Sequence, residues 1–171
     1  MALFLPTVAV ERVTDIPPNL IRAMKVSAII LDVDNTLAID GAPEPLSGTI
    51  EWSQQMISNG IKLIIVSNNY HKRVEPFAAQ YNLPFITLAF KPFPVAYFRA
   101  IHKLGVNRKD VVVVGDQIFT DVIGSNLSFM KSILLVPIHK EKSLSFKIRR
   151  GCERPLRHII KASNRGKKYF N

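Results

Sequence analysis

Ile29-Ile30-Leu31-Asp32-Val33-Asp34-Asn35-Thr36-Leu37 joins an apolar run of strand length to two carboxylates spaced two apart. Side chains at i and i+2 of a strand leave it on the same side, so Asp32 and Asp34 can serve one site. A strand this apolar is a buried strand, and two buried charges of one sign are costly unless a cation, a ligand or water meets them. The carboxyl end of a buried parallel strand is also where open α/β sheets take their ligands.

Outward from this stretch, short apolar runs alternate with segments of helical period. The pattern predicts strands over 26–33, 61–66, 85–89, 111–114 and 132–136, and helices over 46–59, 72–81, 94–104 and 120–127. Leu46, Ile50, Met56 and Ile57 share one face of the first helix, which Gly60 stops. Pro94 opens the third helix and Gly105 closes it, whereas Pro76 is an awkward residue inside the second. Strands alternating with helices of ten to fifteen residues imply βαβ units and a parallel sheet. Right-handed crossovers then lay helices on both faces. The expected fold class is α/β, a three-layer, Rossmann-like parallel sheet in a single domain spanning 1–171. The pattern changes past Pro137, so 139–171 is set apart as a basic extension. Within it, Leu144, Phe146 and Ile148 interleave the basic stretch 140–150. Leu156, Ile159 and Ile160 have the spacing of a short amphipathic helix, and 163–171 read as frayed.

Charge marks the same boundary. The 171 residues carry a formal net charge of +10. Residues 1–138 hold 12 Lys/Arg against 11 Asp/Glu, and residues 139–171 hold 11 against 2. A nearly neutral body with a basic end suggests a polyanionic partner such as an anionic membrane, a nucleic acid or another acidic surface. Few aromatics accompany the basic residues (Phe146, Tyr169, Phe170), which disfavours strand binding by base stacking. No run reaches the roughly 18 apolar residues of a membrane span. The apolar start, Met1 to Leu5, lacks a basic flank and breaks at Pro6, so it is not read as a secretory signal. The lone Cys152 excludes an internal disulfide and fits a reducing compartment. The expected location is the cytoplasm or the matrix side of an organelle, peripheral to a membrane if the basic end engages one.

Four segments carry polar residues that a core has no use for: Asp32/Asp34, Ser67-Asn68, Lys91 and Asp116/Asp121. Taken singly, each has a bland reading as a turn, a cap or a solvated lysine. In a parallel sheet, however, all strand carboxyl ends lie on one edge, and residues distant in sequence converge there. Together they supply carboxylates for a divalent cation, a hydroxyl and an amide for hydrogen bonds, and a cation for an anionic group. Oxygen ligands suit Mg²⁺ better than Zn²⁺. The set suits phosphoryl transfer, in which positioning and charge neutralisation do most of the work. His71, His102, His139 and His158 have no metal-ligand spacing and read as surface or helix residues. Trp52 reads as a core-edge residue, and there is no Gly-rich loop of the P-loop kind.

In order, Asp32-Val33-Asp34-Asn35-Thr36-Leu37, Ser67-Asn68-Asn69, Lys91-Pro92 and Gly115-Asp116-Gln117-Ile118-Phe119-Thr120-Asp121 resemble the four motifs of haloacid dehalogenase superfamily phosphatases. The resemblance implies that Asp32 is the nucleophile and Asp34 the general acid and base. It implies that Ser67 binds phosphoryl oxygens and that Lys91 offsets charge. Asp116 would bind Mg²⁺ with the Asp32 carboxylate and the Asp34 backbone carbonyl, with Asp121, Asn68 and Gln117 in support. The 32 residues between Asp34 and Ser67, and the 23 between Ser67 and Lys91, leave no room for an inserted cap domain. The pattern is similar to the capless subclass IIIA, which includes phosphatidylglycerophosphate phosphatases. That likeness implies hydrolysis of phosphatidylglycerophosphate to phosphatidylglycerol and an anionic phospholipid or membrane partner. A phosphoprotein, a nucleic-acid end or a soluble phosphoester is the alternative substrate. A non-catalytic adaptor is the alternative class. Oligomeric state is not legible in the sequence.

Overall fold

Valine, isoleucine and leucine crowd the strand segments because both faces of the sheet are covered, as buried parallel strands require. The computed structural model describes residues 3–138 and 144–162. Six parallel strands form one sheet: β1 (Val8–Val10), β2 (Ala28–Leu31), β3 (Lys62–Val66), β4 (Phe85–Ile86), β5 (Val111–Gly115) and β6 (Lys131–Leu135). Their spatial order is β1-β6-β5-β2-β3-β4. The helices are α1 (Pro18–Ala23), α2 (Thr49–Ser58), α3 (His71–Tyr81), α4 (Val95–Leu104), α5 (Ile123–Leu127) and α6 (Leu144–Ala162). The three-layer α/β architecture is therefore the expected one, and no inserted domain lies between Asp34 and Lys91.

Alternation along each strand divides the core in two. Ile29, Leu31, Leu63, Ile65, Val112 and Val114 face a layer that includes Leu20, Ile21, Trp52, Met56 and Phe77 from α1, α2 and α3. Ala28, Ile30, Ile64, Val66, Val111 and Val113 face Ala96, Tyr97 and Ala100 of α4. Trp52 lies deeper than an edge position: it is buried, and its indole N–H donates to the Ile16 carbonyl at 2.8 Å. A third cluster joins Ile118, Val122 and Leu134 to Ile160, with Leu5 and Leu156 against it. Of the expected amphipathic triplet on α6, Ile160 is buried, Leu156 half-buried and Ile159 exposed.

The differences from expectation have local causes. β1 and α1 precede the first predicted element. β1 has only three residues, too few for a period to register, yet it pairs with β6 from Val8↔Ile133 to Val10↔Leu135. The predicted strand 85–89 stops at Ile86, because Leu88 and Phe90 take positive φ values of 47° and 50°. The helix predicted from 120 is preceded by a π-helical turn, Ile118–Val122, which carries Asp121. α3 runs through Pro76. His71 and His102 lie exposed on α3 and α4, and His158 lies exposed on α6. His139, residues 140–143 and the stretch 163–171 lie outside the described residues, as do the side chains of Leu144, Phe146 and Ile148.

Candidate active site

The strand order reverses beside β2, whose neighbours are β3 on one side and β5 on the other. Such a switch point opens a crevice beyond the strand carboxyl ends. Leu31 pairs with Val114, and the Asp32 amide donates to the Val114 carbonyl at 3.0 Å, so the Asp32 and Asp116 segments leave the sheet side by side. The backbone turns at once after Asp32. Thr36, Leu37 and Ala38 all donate amides to the Val33 carbonyl, and Asn35 sits at φ 54°, a left-handed conformation that asparagine tolerates.

One oxygen from each of Asp32, Asp116 and Asp121 lies within 4.8 Å of the others, and all three residues are buried. Lys91 enters this cluster from the loop after β4. Its Nζ is 2.7 Å from Asp32 Oδ1 and 2.7 Å from Asp121 Oδ1. Gly115 makes room for this packing, since a Cβ there would stand 2.3 Å from Asp121 Cγ. Three buried carboxylates, two of them paired with one ammonium, form an electronegative pocket of oxygen ligands that fits a hard divalent cation. Burial pushes the Asp32 carboxyl up to about 7, with Asp121 and Asp34 adding to the rise and Lys91 opposing it. Burial alone would lower the Lys91 pKa, but Asp121 and Asp32 hold it above its ordinary value, so Lys91 stays an ammonium.

Asp34 stands apart from that cluster at the cleft wall. Its Oδ2 accepts from Asn69 Nδ2 at 2.7 Å, and its Oδ1 accepts from the Gly41 amide at 3.2 Å and from Arg73. Ser67 is buried, and its hydroxyl accepts from the Asn69 amide at 3.1 Å. Asn68 ties two loops together: the Lys91 amide donates to Asn68 Oδ1 at 2.7 Å, and Asn68 Nδ2 donates to the Lys91 carbonyl at 3.3 Å. The Gln117 amide donates to Asp121 Oδ2 at 3.2 Å. Asp32, Asp34, Ser67, Asn68, Lys91 and Gln117 all line one open cleft of about 340 Å³. Every site residue expected from sequence thus lies at one edge of the sheet.

Four further residues contribute, none of them assigned a role from sequence. Asn69, just before α3, and Arg73, in its first turn, hold Asp34. Glu153 and Arg157 of α6, four apart, brace the Asp116 loop from behind. Buried Glu153 Oε1 accepts from the Ile118 and Phe119 amides at 2.8 and 3.3 Å. Arg157 donates to the Asp116 carbonyl, and to the Leu135 carbonyl at 3.2 Å. Part of the basic extension is therefore built into the site.

Comparison with known proteins places this geometry. The family model for haloacid dehalogenase-like hydrolases matches residues 38–125, which include Ser67, Lys91, Asp116 and Asp121. Asp32 and Asp34 lie just before that span. The "Probable phosphatase YqeG" of Bacillus subtilis is 37% identical over 158 residues, covering 92% of each chain. The chain belongs to the haloacid dehalogenase-like hydrolases. Solved structures share the fold at lower identity. An uncharacterized protein from Listeria monocytogenes superposes with a TM-score of 0.55 at 18% identity, over 69% of this chain and 85% of that one. The 4-nitrophenylphosphatase of Thermotoga maritima gives 0.52 at 12% identity, over 70% and 89%. No helix among the described residues of this haloacid dehalogenase-like hydrolase is long and apolar enough to cross a membrane.

Proposed function

We propose that this protein is a Mg²⁺-dependent phosphomonoesterase working through an aspartyl-phosphate, with phosphatidylglycerophosphate as its substrate. The observation that carries the phosphatase reading is the buried Asp32, Asp116, Asp121 and Lys91 cluster, with Asp34 two residues beyond Asp32 at the cleft wall. A carboxylate oxygen of Asp32 attacks phosphorus, and the phosphorus–oxygen bond to the alcohol breaks. Asp34 delivers a proton to the departing oxygen. Water then attacks the aspartyl-phosphate while Asp34 takes its proton, which releases phosphate and restores the Asp32 carboxylate. Ser67 offers its hydroxyl to phosphoryl oxygens, and Lys91 offsets charge on nucleophile and phosphate. Asp32, Asp116 and the Asp34 carbonyl are the metal ligands in this reading. Bound Mg²⁺ supplies charge neutralisation for the phosphoryl oxygens. Asp121, Asn68 and Gln117 keep these groups in place.

Three features support the lipid substrate. The cleft has no inserted cap, which suits a large or surface-bound substrate. Tyr70 and Phe90, neighbours in sequence of Asn69 and Lys91, are exposed, as is Phe93, and aromatic side chains favour the boundary between water and apolar phases. The charge of residues 139–171 is +9 by count, and each basic residue near an anionic bilayer contributes roughly 1 kcal/mol. Phosphate release from phosphatidylglycerophosphate in mixed micelles, measured beside a panel of soluble phosphoesters, tests the assignment. The lipid is expected to be turned over fastest. Brisk turnover of soluble esters with none of the lipid removes the lipid and leaves the phosphatase.

The metal reading carries a pH signature. In the metal-free protein, Asp32 titrates near 7 against 3.8 as its ordinary value, so its contribution to stability is greatest below 3.8 and is lost as pH rises through about 7. A dication takes the carboxylate form, so below about pH 7 it competes with a proton. The rise in melting temperature on adding Mg²⁺ is therefore expected to be larger at about pH 8 than at about pH 5.5. Equal shifts at both pH values would place the cation away from Asp32.

A further inference from the structure

The catalytic cleft does not end at Asp34. A second cavity of about 280 Å³ opens beside it, and Asn69 and Arg73 line both. Its wall adds Lys72, Gln80, Val33 and Phe77. Gln80 closes one side by donating to the Pro43 carbonyl at 3.2 Å.

We propose that this cavity is a leaving-group subsite, in which Arg73 and Lys72 bind a phosphodiester carried by the alcohol that departs. The inference rests on the phosphatase reading and deepens it. Lys91 is buried and committed to Asp32 and Asp121, so it cannot also serve a distant second anion. Among the residues lining the two cavities, the other cations are Arg73 and Lys72. Lys72 is exposed, and the Arg73 side chain is 32% accessible.

Position sets the order of groups along the substrate. Asp34 delivers its proton to the leaving oxygen, so that oxygen sits beside Asp34. Arg73 is ion-paired to Asp34 Oδ1. An anion a few bonds beyond the leaving oxygen therefore arrives at Arg73. A guanidinium has five N–H donors in a planar fork. Arg73 reaches Asp34 through Nη2, and its other nitrogens match two oxygens of a phosphodiester. Arg73 is balanced by Asp34 while that carboxylate is ionised and carries a net charge once Asp34 holds the proton it delivers, and Lys72 adds a second positive charge. Val33 and Phe77 give the carbon skeleton between the two phosphates an apolar wall.

The test uses the full chain and three substrates: phosphatidylglycerophosphate in mixed micelles, its deacylated soluble headgroup, and p-nitrophenyl phosphate, which has no second anion. Arg73→Gln is expected to lower the ratio of kcat/KM for the two diester substrates over p-nitrophenyl phosphate by about tenfold, mainly through KM. Lys72→Gln lowers it less. Loss common to all three substrates reports the grip on Asp34. An unchanged ratio overturns the subsite, and so does a change confined to the micellar lipid, which would assign these residues to surface attachment. A binding measurement runs beside it. Asp32→Asn protein is titrated with glycerophosphoglycerol, which has the diester and no monoester. Adding Arg73→Gln should weaken that binding about tenfold, and equal affinity would refute the proposal. Asp32-dependent turnover without preference for diester substrates also refutes the subsite and leaves the phosphatase standing. Absence of Asp32-dependent turnover on every ester removes the phosphatase reading itself.

Discussion

Asp32→Asn is expected to cut turnover by at least about 10⁴-fold, in line with removal of a covalent nucleophile, while the protein remains folded. An amide nitrogen cannot replace the attacking carboxylate oxygen, and the neighbouring carboxylates are already committed. Asp121 is held by Lys91 and by the Gln117 amide, and Asp34 is fixed at the wall by Asn69, Gly41 and Arg73. The fold survives because the substitution removes a buried charge whose ionisation is unfavourable there, as its raised pKa records. Lys91 keeps Asp121 as a partner at 2.7 Å. Melting without metal should therefore occur at or above the wild-type temperature. Mass spectrometry of acid-quenched reactions should find phosphate on the wild-type peptide containing Asp32 and none on the variant. Undiminished phosphate release by the variant would end the proposed chemistry.

Lys91→Met has the second largest effect, and it acts on stability as well as rate. Methionine matches the length of much of the lysine stem but leaves Asp32, Asp116 and Asp121 with no ammonium among them. Removing one partner from a buried ion pair costs about 3–5 kcal/mol, because the other partner stays buried and uncompensated. Chemical denaturation of the metal-free variant should show a loss of that order. The deficit should shrink as pH falls, since protonation relieves the repulsion, and it should shrink again when a divalent cation is added. Turnover at saturating Mg²⁺ should still fall by roughly 10²–10³-fold, the range typical of losing one preorganised electrostatic contact. A variant as stable as wild type without metal would mean that Lys91 does not neutralise the cluster.

The legible parts of this molecule are those whose signal is local. Ile29 to Asp34 declares a buried strand ending in paired acids, and the sheet topology follows from strands separated by helices. The convergence of Asp32, Ser67, Lys91 and Asp116 could be argued from parallel topology alone, since every strand ends on the same edge. What escaped were short or distant contributors. β1 has three residues and is defined by pairing with β6 across more than a hundred positions. Arg73 resembles any solvated helical arginine until the turn after Asp32 brings Asp34 against it. Glu153 sits in a strongly basic segment, where one acid reads as incidental. Its burial and its two amide partners appear only once α6 packs beside the π-helical turn. Leu88 and Phe90 ended a predicted strand through backbone angles that apolar composition does not announce.

The brace from α6 has a consequence for how the molecule comes into being. A ribosome releases the acid-bearing turn at 116–122 well before it releases Glu153 and Arg157, and until then the Ile118 and Phe119 amides lack the carboxylate that receives them. Competence to bind and react is therefore acquired only once Glu153 and Arg157 have been made, and a nascent chain halted before residue 153 holds Asp116 and Asp121 on an unbuttressed turn.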